Sequence, residues 1–154
     1  MTCATPSFLV VGTLLSGTQF NPSSNAIYNS VNTPVAGTFT YTPVSGTQVT
    51  LAGTSTLSTD FTPTDTANYN SVNGTTVVLT TVPGPISQIE LAASPTSLDI
   101  TSASTLTVTG KDQYGNVVTN NSTTPVILSV DNGALATTRL TLTSGVKTTT
   151  LSRS

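Results

Sequence analysis

The residues able to carry chemistry in this chain are few and far apart. There is no His, so no hydrolytic triad can be assembled, and the lone thiol, Cys3, has no neighbouring base. Six carboxylates remain: Asp60, Asp65, Glu90, Asp99, Asp112 and Asp131. Two carboxyl groups can act as acid and base when they flank one bond. Asp60 and Asp65 are the nearest pair, and the rest stand singly, mostly in turn sequences. No catalytic residue is assigned, and the chain is not expected to be an enzyme.

Calcium needs several oxygen ligands converging on one point. Lys111-Asp112-Gln113-Tyr114-Gly115-Asn116 offers Asp112 and Asn116, and Asp131-Asn132 offers a second pair. There is no Asp-x-Asp-x-Asp run. The same residues are explained by Asx turns, in which the side chain accepts from backbone two residues on. No metal ligand and no cofactor are therefore assigned, Ca2+ being the one ion such residues would suit. Asn73-Gly74-Thr75, Asn120-Asn121-Ser122 and Asn121-Ser122-Thr123 fit the N-glycan acceptor pattern, which makes Asn73, Asn120 and Asn121 candidate attachment sites in a host that glycosylates its surface proteins.

The elements that must hold these residues are strands. Thr supplies more than one residue in five, with Val and Leu between and Gly and Pro as punctuation. Its branched Cβ is stiff and suits the half-wet face of a sheet. Only 6% of residues are charged, for a net charge of −2. Nucleic-acid binding is excluded, since it needs a clustered basic face. No apolar run approaches the roughly 20 residues that span a bilayer, so no membrane insertion is expected. One cysteine permits no intrachain disulfide. Met-Thr-Cys-Ala-Thr-Pro has no basic segment followed by an apolar stretch, so it does not read as a signal peptide.

Val82-Pro83-Gly84-Pro85 marks a boundary, because proline lacks a ladder donor and cannot sit inside a central strand. Strand patterns precede it at Phe8–Val11, Gly37–Tyr41, Gln48–Leu51, Ser55–Phe61 and Thr75–Val82. They follow it at Ser87–Leu91, Ser97–Ile100, Ser104–Thr109, Pro125–Val130, Ala134–Leu142 and Val146–Leu151. Strict alternation in Thr105-Leu106-Thr107-Val108-Thr109 turns Leu106 and Val108 inward. Most of residues 20–35 read as a long surface loop, Asn73-Gly74 as a turn, and Asn132-Gly133 as a tight hairpin turn. The string Tyr-Asn-Ser-Val-Asn occurs at 28–32 and again at 69–73. It reads as a duplicated binding loop or as coincidence in an Asn/Thr/Ser-rich chain. The fold class is all-β, with two sandwiches in tandem: residues 1–82, a linker at 83–85, and residues 86–154.

Asp65-Thr66-Ala67-Asn68-Tyr69 resembles the run that opens strand F of immunoglobulin domains. There the Tyr hydroxyl bonds back to upstream backbone as a tyrosine corner. By that resemblance Asp65 and Tyr69 are structural, and Ser71 stands where the disulfide cysteine would be. Together with Gly37-Thr38-Phe39-Thr40-Tyr41-Thr42-Pro43 and Ala52-Gly53-Thr54-Ser55-Thr56-Leu57, it makes residues 11–82 similar to bacterial Ig-like repeats of the MBG type. Ile89-Glu90-Leu91-Ala92-Ala93-Ser94-Pro95, Ser104-Thr105-Leu106-Thr107-Val108, Lys111-Asp112-Gln113-Tyr114-Gly115-Asn116 and Val130-Asp131-Asn132-Gly133 make residues 86–154 resemble the invasin/intimin-type Ig-like domain.

The resemblance implies tandem immunoglobulin-like sandwiches of a secreted or cell-surface protein: a stalk, surface-layer, adhesin or filament segment. Domains of this kind run to about 100 residues, so the second is expected to lack its closing strand or strands. Two readings follow: a fragment of a longer repeat protein, or a protomer completed by a neighbour's strand. In the second, Phe8, Leu9, Val10 and Val11 within Ala4–Val11 are the donor strand, and copies join head to tail as a fibre. Expected partners are copies of itself, adjoining Ig-like repeats and glycans. Alternatives are a carbohydrate- or receptor-binding module, and a spacer in a large secreted enzyme. Some Ig-like surface domains self-crosslink through a Lys–Asn isopeptide bond; Lys111 and Lys147 are the candidate lysines, neither in a telling context.

Overall fold

The computed structural model describes residues 1–97, 99 and 102–152. Every regular element among them is a strand, so the protein is all-β. The chain divides into two compact units, Met1–Val82 and Pro83–Ser154.

In the first unit the strands are β1 (Thr2–Cys3), β2 (Leu9–Val10), β3 (Pro22–Ser23), β4 (Asn25–Tyr28), β5 (Val31–Pro34), β6 (Gly37–Thr42), β7 (Gly53–Pro63) and β8 (Val72–Val82). The main sheet runs β2-β8-β7-β6, and β1-β3 and β4-β5 form two small antiparallel pairs. In β7, Leu57, Thr59, Phe61 and Pro63 turn inward at every second residue, as a pleated strand requires. Leu9, Leu57 and Leu79 from this sheet pack against Leu15 and Phe20, with Tyr41, Val49 and Val77 at the margin. Phe20 stacks on Tyr41 at 4.3 Å. Each buried leucine contributes roughly 2 kcal/mol of apolar transfer.

The layer opposite the main sheet is largely irregular. Residues 12–15 run beside 46–49, with Gly12 N–H donating to Val49 O (2.6 Å), Val49 N–H to Thr13 O (3.1 Å) and Leu15 N–H to Thr47 O (2.9 Å). The expected strand Gln48–Leu51 is thus reduced to a single bridge, Leu14↔Gln48. A capped turn follows. Ser16 N–H donates to Gln19 Oε1 (3.0 Å), and Thr18 N–H donates to Ser16 Oγ (3.3 Å). This reciprocal cap lets Gln19 be buried with its Oε1 paired and delivers Phe20 to the core.

The expected loop over 20–35 is instead a hairpin, β4 and β5 in register from Asn25↔Pro34 to Tyr28↔Val31. Asn29 and Ser30 occupy its turn with φ of 48° and 65°. Both central residues therefore sit in the left-handed region that a two-residue hairpin turn demands. Asn73-Gly74 is not a turn either but lies inside β8, where the register slips by one residue between Thr59↔Thr75 and Phe61↔Val72. Gly74, at φ 70°, makes this a glycine-type bulge.

In the second unit the strands are β9 (Gln88–Ser94), β10 (Ala103–Lys111), β11 (Pro125–Ile127), β12 (Ala134–Leu135), β13 (Arg139–Thr141) and β14 (Val146–Ser152). One sheet runs β12-β14-β10-β9, and β11 pairs with β13 in the other. Val108 from the first sheet meets Leu140 and Leu142 from the second, flanked by Ile86, Val126 and Leu128. Leu106 and Val108 are buried.

The expected strand Ala134–Leu142 is divided between the two sheets. The crossing is pinned by Thr149, whose hydroxyl accepts from Thr137 N–H and donates to Thr137 O (both 3.2 Å). Asn132-Gly133 accordingly closes no hairpin. A Cβ on Gly133 would lie 2.7 Å from Ser152 O, so glycine is needed there for close approach to β14. The expected strand Ser97–Ile100 falls partly outside the described residues, as do Arg153 and Ser154.

Candidate functional site

Three of the described carboxylates, Asp60, Asp65 and Asp112, are each held by backbone N–H groups, while Asp99 and Asp131 are exposed. Asp60 Oδ1 accepts from Gly74 N–H at 2.6 Å and so fastens the β8 bulge. Asp65 Oδ1 accepts from Ala67 N–H (3.1 Å) and Asn68 N–H (3.2 Å), and Oδ2 accepts from Asn68 Nδ2 (2.7 Å). The Asn68 amide, with the two N–H groups, holds the Asp65 carboxyl below its ordinary value against an opposing desolvation. Tyr69 N–H donates to Asp65 O at 3.1 Å, closing one helical turn. Tyr69 itself is exposed, and its hydroxyl makes no hydrogen bond among the described residues. Asp65 and Tyr69 are thus joined by a capped turn, through Asp65 backbone and carboxylate.

Asp112 is the most enclosed acid, 1% exposed. Its Oδ1 accepts from Tyr114 N–H (2.9 Å), Asn116 N–H (3.0 Å) and Asn116 Nδ2 (3.2 Å). Its Oδ2 accepts from Gly84 N–H (3.1 Å) and Asn116 Nδ2 (3.1 Å). Burial pushes this carboxyl up, but the bonds from Asn116, Tyr114 and Gly84 together outweigh it and hold the group below its ordinary value. Both oxygens face N–H donors, the surroundings of a caged anion. Asn116 turns amide hydrogens toward Asp112, so the two do not converge as cation ligands. Among the described residues no three His, Cys, Asp or Glu side chains come together.

The lysines are structural or remote. Lys111 forms an ion pair with Glu90, a diagonal neighbour on the β9–β10 ladder, where Lys111 faces Gln88 and Glu90 faces Thr109. Lys147 lies opposite Val108 on β14. Cys3 Sγ lies 3.6 Å from Asn21 Oδ1, beside the β1–β3 pair.

The sequon residues differ in what their amides already do. Asn73 is exposed on the β8 bulge and Asn120 is exposed in the loop after Val118. Asn121 is half-buried, and its Oδ1 accepts from Thr123 N–H (3.2 Å) and Thr124 N–H (3.1 Å). The segment Phe8–Val11 is seated in its own unit: β2 runs parallel to β8, with Leu9 opposite Thr81. Leu9 and Val11 are buried there, and Phe8 and Val10 are exposed.

A feature missed from sequence lies beside the β4–β5 hairpin. A hollow of about 360 Å³ is lined by Met1, Ser24, Asn25, Ala26, Val35, Phe61, Tyr69, Asn70 and Val72. A second, about 580 Å³, shares Met1 and Asn25 with it and adds Thr2, Ser23, Ile27 and Asn32. No lining side chain carries a charge. The repeated Tyr-Asn-Ser-Val-Asn string was the available signal: its first copy supplies Asn32, its second Tyr69, Asn70 and Val72. Compared with known proteins, the chain matches no family model, no curated protein and no solved structure.

Proposed function

We propose that the chain is a structural segment of an extracellular assembly, a stalk, surface-layer, adhesin or filament part built from tandem Ig-like sandwiches. One observation carries the reading. Asp60, Asp65 and Asp112 are each committed to backbone N–H groups and Glu90 to Lys111, so four of the six acids are already engaged, and the other two, Asp99 and Asp131, stand singly at exposed positions far apart in the sequence. Outward faces such as Thr54, Thr56, Thr105 and Thr148 are hydroxyl-bearing and neutral. Such a surface is durable and sparingly reactive. Asn73 and Asn120 project from exposed positions and would accept glycans without loss of a fold contact.

Head-to-tail joining has a donor and an acceptor. The donor, Phe8–Val11, would leave its place beside β8 in its own unit and pair with an open sheet edge in a neighbour. The outer edge of β9 has no partner strand among the described residues, and Ile89 and Leu91 on it are half-exposed. An edge of this kind accepts an added strand.

Labelling intact cells of the source organism with antibody against the chain tests location. Surface labelling is expected, and signal only after permeabilisation would overturn the reading. Light scattering on the purified chain at rising concentration tests strand exchange separately, and a constant monomer mass removes the fibre.

A further inference from the structure

We infer that the groove beside the β4–β5 hairpin, formed by the two hollows that share Asn25, binds a neutral oligosaccharide. Three features lead there. First, no lining side chain carries a charge, and the whole first unit has only Asp60 and Asp65 as charged side chains. A polycation would find no counter-charge in such a wall, and a phosphate or an acidic peptide no Lys or Arg. Second, Asn25, Asn32 and Asn70 have no side-chain hydrogen bond among the described residues. Each amide offers two donors and one acceptor, the complement of vicinal sugar hydroxyls. Third, Tyr69 stands 39% exposed on the wall, with Ala26, Val35 and Val72 beside it. An aromatic ring with an apolar surround takes the C–H face of a pyranose, while the polar groups fix its orientation.

The extent of the groove sets the size of the ligand. The first hollow holds Tyr69 and two of the amides, Asn25 and Asn70. The second continues past Asn25 to Thr2, Ser23 and Asn32. Two adjoining subsites suit at least two linked sugar rings. Both copies of the repeated string border this one groove, which gives the repetition a use. The inference is independent of the structural role above: a surface stalk with no sugar site would retain the one and lose the other.

The test is a ¹H–¹⁵N NMR titration of the full chain with cellotetraose, maltotetraose, mannotetraose and chitotetraose, each to about 20 mM, a range that captures weak lectin-type affinity. Saturating shifts confined to residues 23–27, 32 and 69–72 are expected with at least one of them. Tyr69→Ala is expected to weaken that binding about tenfold and Asn25→Ala about fivefold, the loss of one stacking or one polar contact. Asn25 is exposed, so its variant keeps the fold even where Tyr69→Ala loosens the adjoining turn. No saturating shift with any of the four sugars overturns the inference. So does binding that both variants leave unchanged.

Discussion

Asp112 is a buried anion held by amides rather than by a cation. Five N–H···O contacts converge on it, one of them from Gly84, 28 residues earlier in the chain. Removing the acceptor strands those donors in a buried place, which costs about 1–3 kcal/mol for each group left unpaired. Asp112→Ala is therefore expected to destabilise the second unit by about 3 kcal/mol, read by urea unfolding. The pH dependence has a definite sign. The folded carboxyl lies below the ordinary value of 3.8, so its contribution is whole above that value and is lost as pH falls through the folded one. Stability of the second unit should drop as the pH falls below the ordinary value of 3.8, and Asp112→Asn should remove that part of the slope. An unchanged slope in the variant would show that other acids carry it. The pairing of Asp112 with Asn116 was legible in sequence as a turn within six residues. Its burial was not, because Gly84 and the enclosing strands reach it from far along the chain.

The hairpin formed by β4 and β5 shows where element-level reading stops. Val31-Asn32-Thr33-Pro34 lacks clean alternation, and the turn is Asn29-Ser30 rather than Asn-Gly. Nothing in the run announces positive φ at a serine, yet Ser30 sits at 65°. That conformation costs a non-glycine residue about 1–2 kcal/mol. Ser30→Gly is expected to recover about 0.5–1 kcal/mol after the added freedom of the unfolded chain is subtracted, seen as a higher unfolding midpoint. An identical five-residue string ends differently at 69–73, where the turn capped by Asp65 leads straight into β8. Local sequence leaves both outcomes open, and the preceding element decides.

The turn between β13 and β14 is the opposite case. Ser144 and Gly145 both have positive φ, and a Cβ on Gly145 would meet Val118 O at 2.7 Å. Gly145→Ala is therefore expected to cost at least about 2 kcal/mol. A neutral result in thermal unfolding would mean that the Asn121 loop, which accepts from Gly145 N–H, yields freely.

At the scale of the whole molecule the charges divide unevenly between the units. Residues 1–82 contain two acids, Asp60 and Asp65, and no Lys or Arg. All four cations, Lys111, Arg139, Lys147 and Arg153, lie after the Pro-Gly-Pro boundary, with the other four acids. The boundary was legible from its two prolines, and the contrast in charge across it could be read from sequence before any sandwich was seen. Which face each strand buries was legible only where alternation was strict, as at Leu106 and Val108. The consequence of the uneven charge is a one-sided vulnerability. Trypsin needs a Lys or Arg on a segment free to enter its cleft. Lys111 ends β10, which is paired on both sides by β9 and β14, and Lys147 lies within β14, between β12 and β10. Cutting there requires opening the second unit, so the rate should follow the population of its open form. Under native conditions the chain should resist cleavage at Lys111, Arg139 and Lys147. With enough urea to open the second unit, the largest product should be residues 1–111, because no earlier site exists however far the first unit unfolds. Mass spectrometry of the digest decides it. Cleavage at Lys111 or Lys147 as fast in buffer as in urea would mean that β10 and β14 are not held in the ladder that buries Val108.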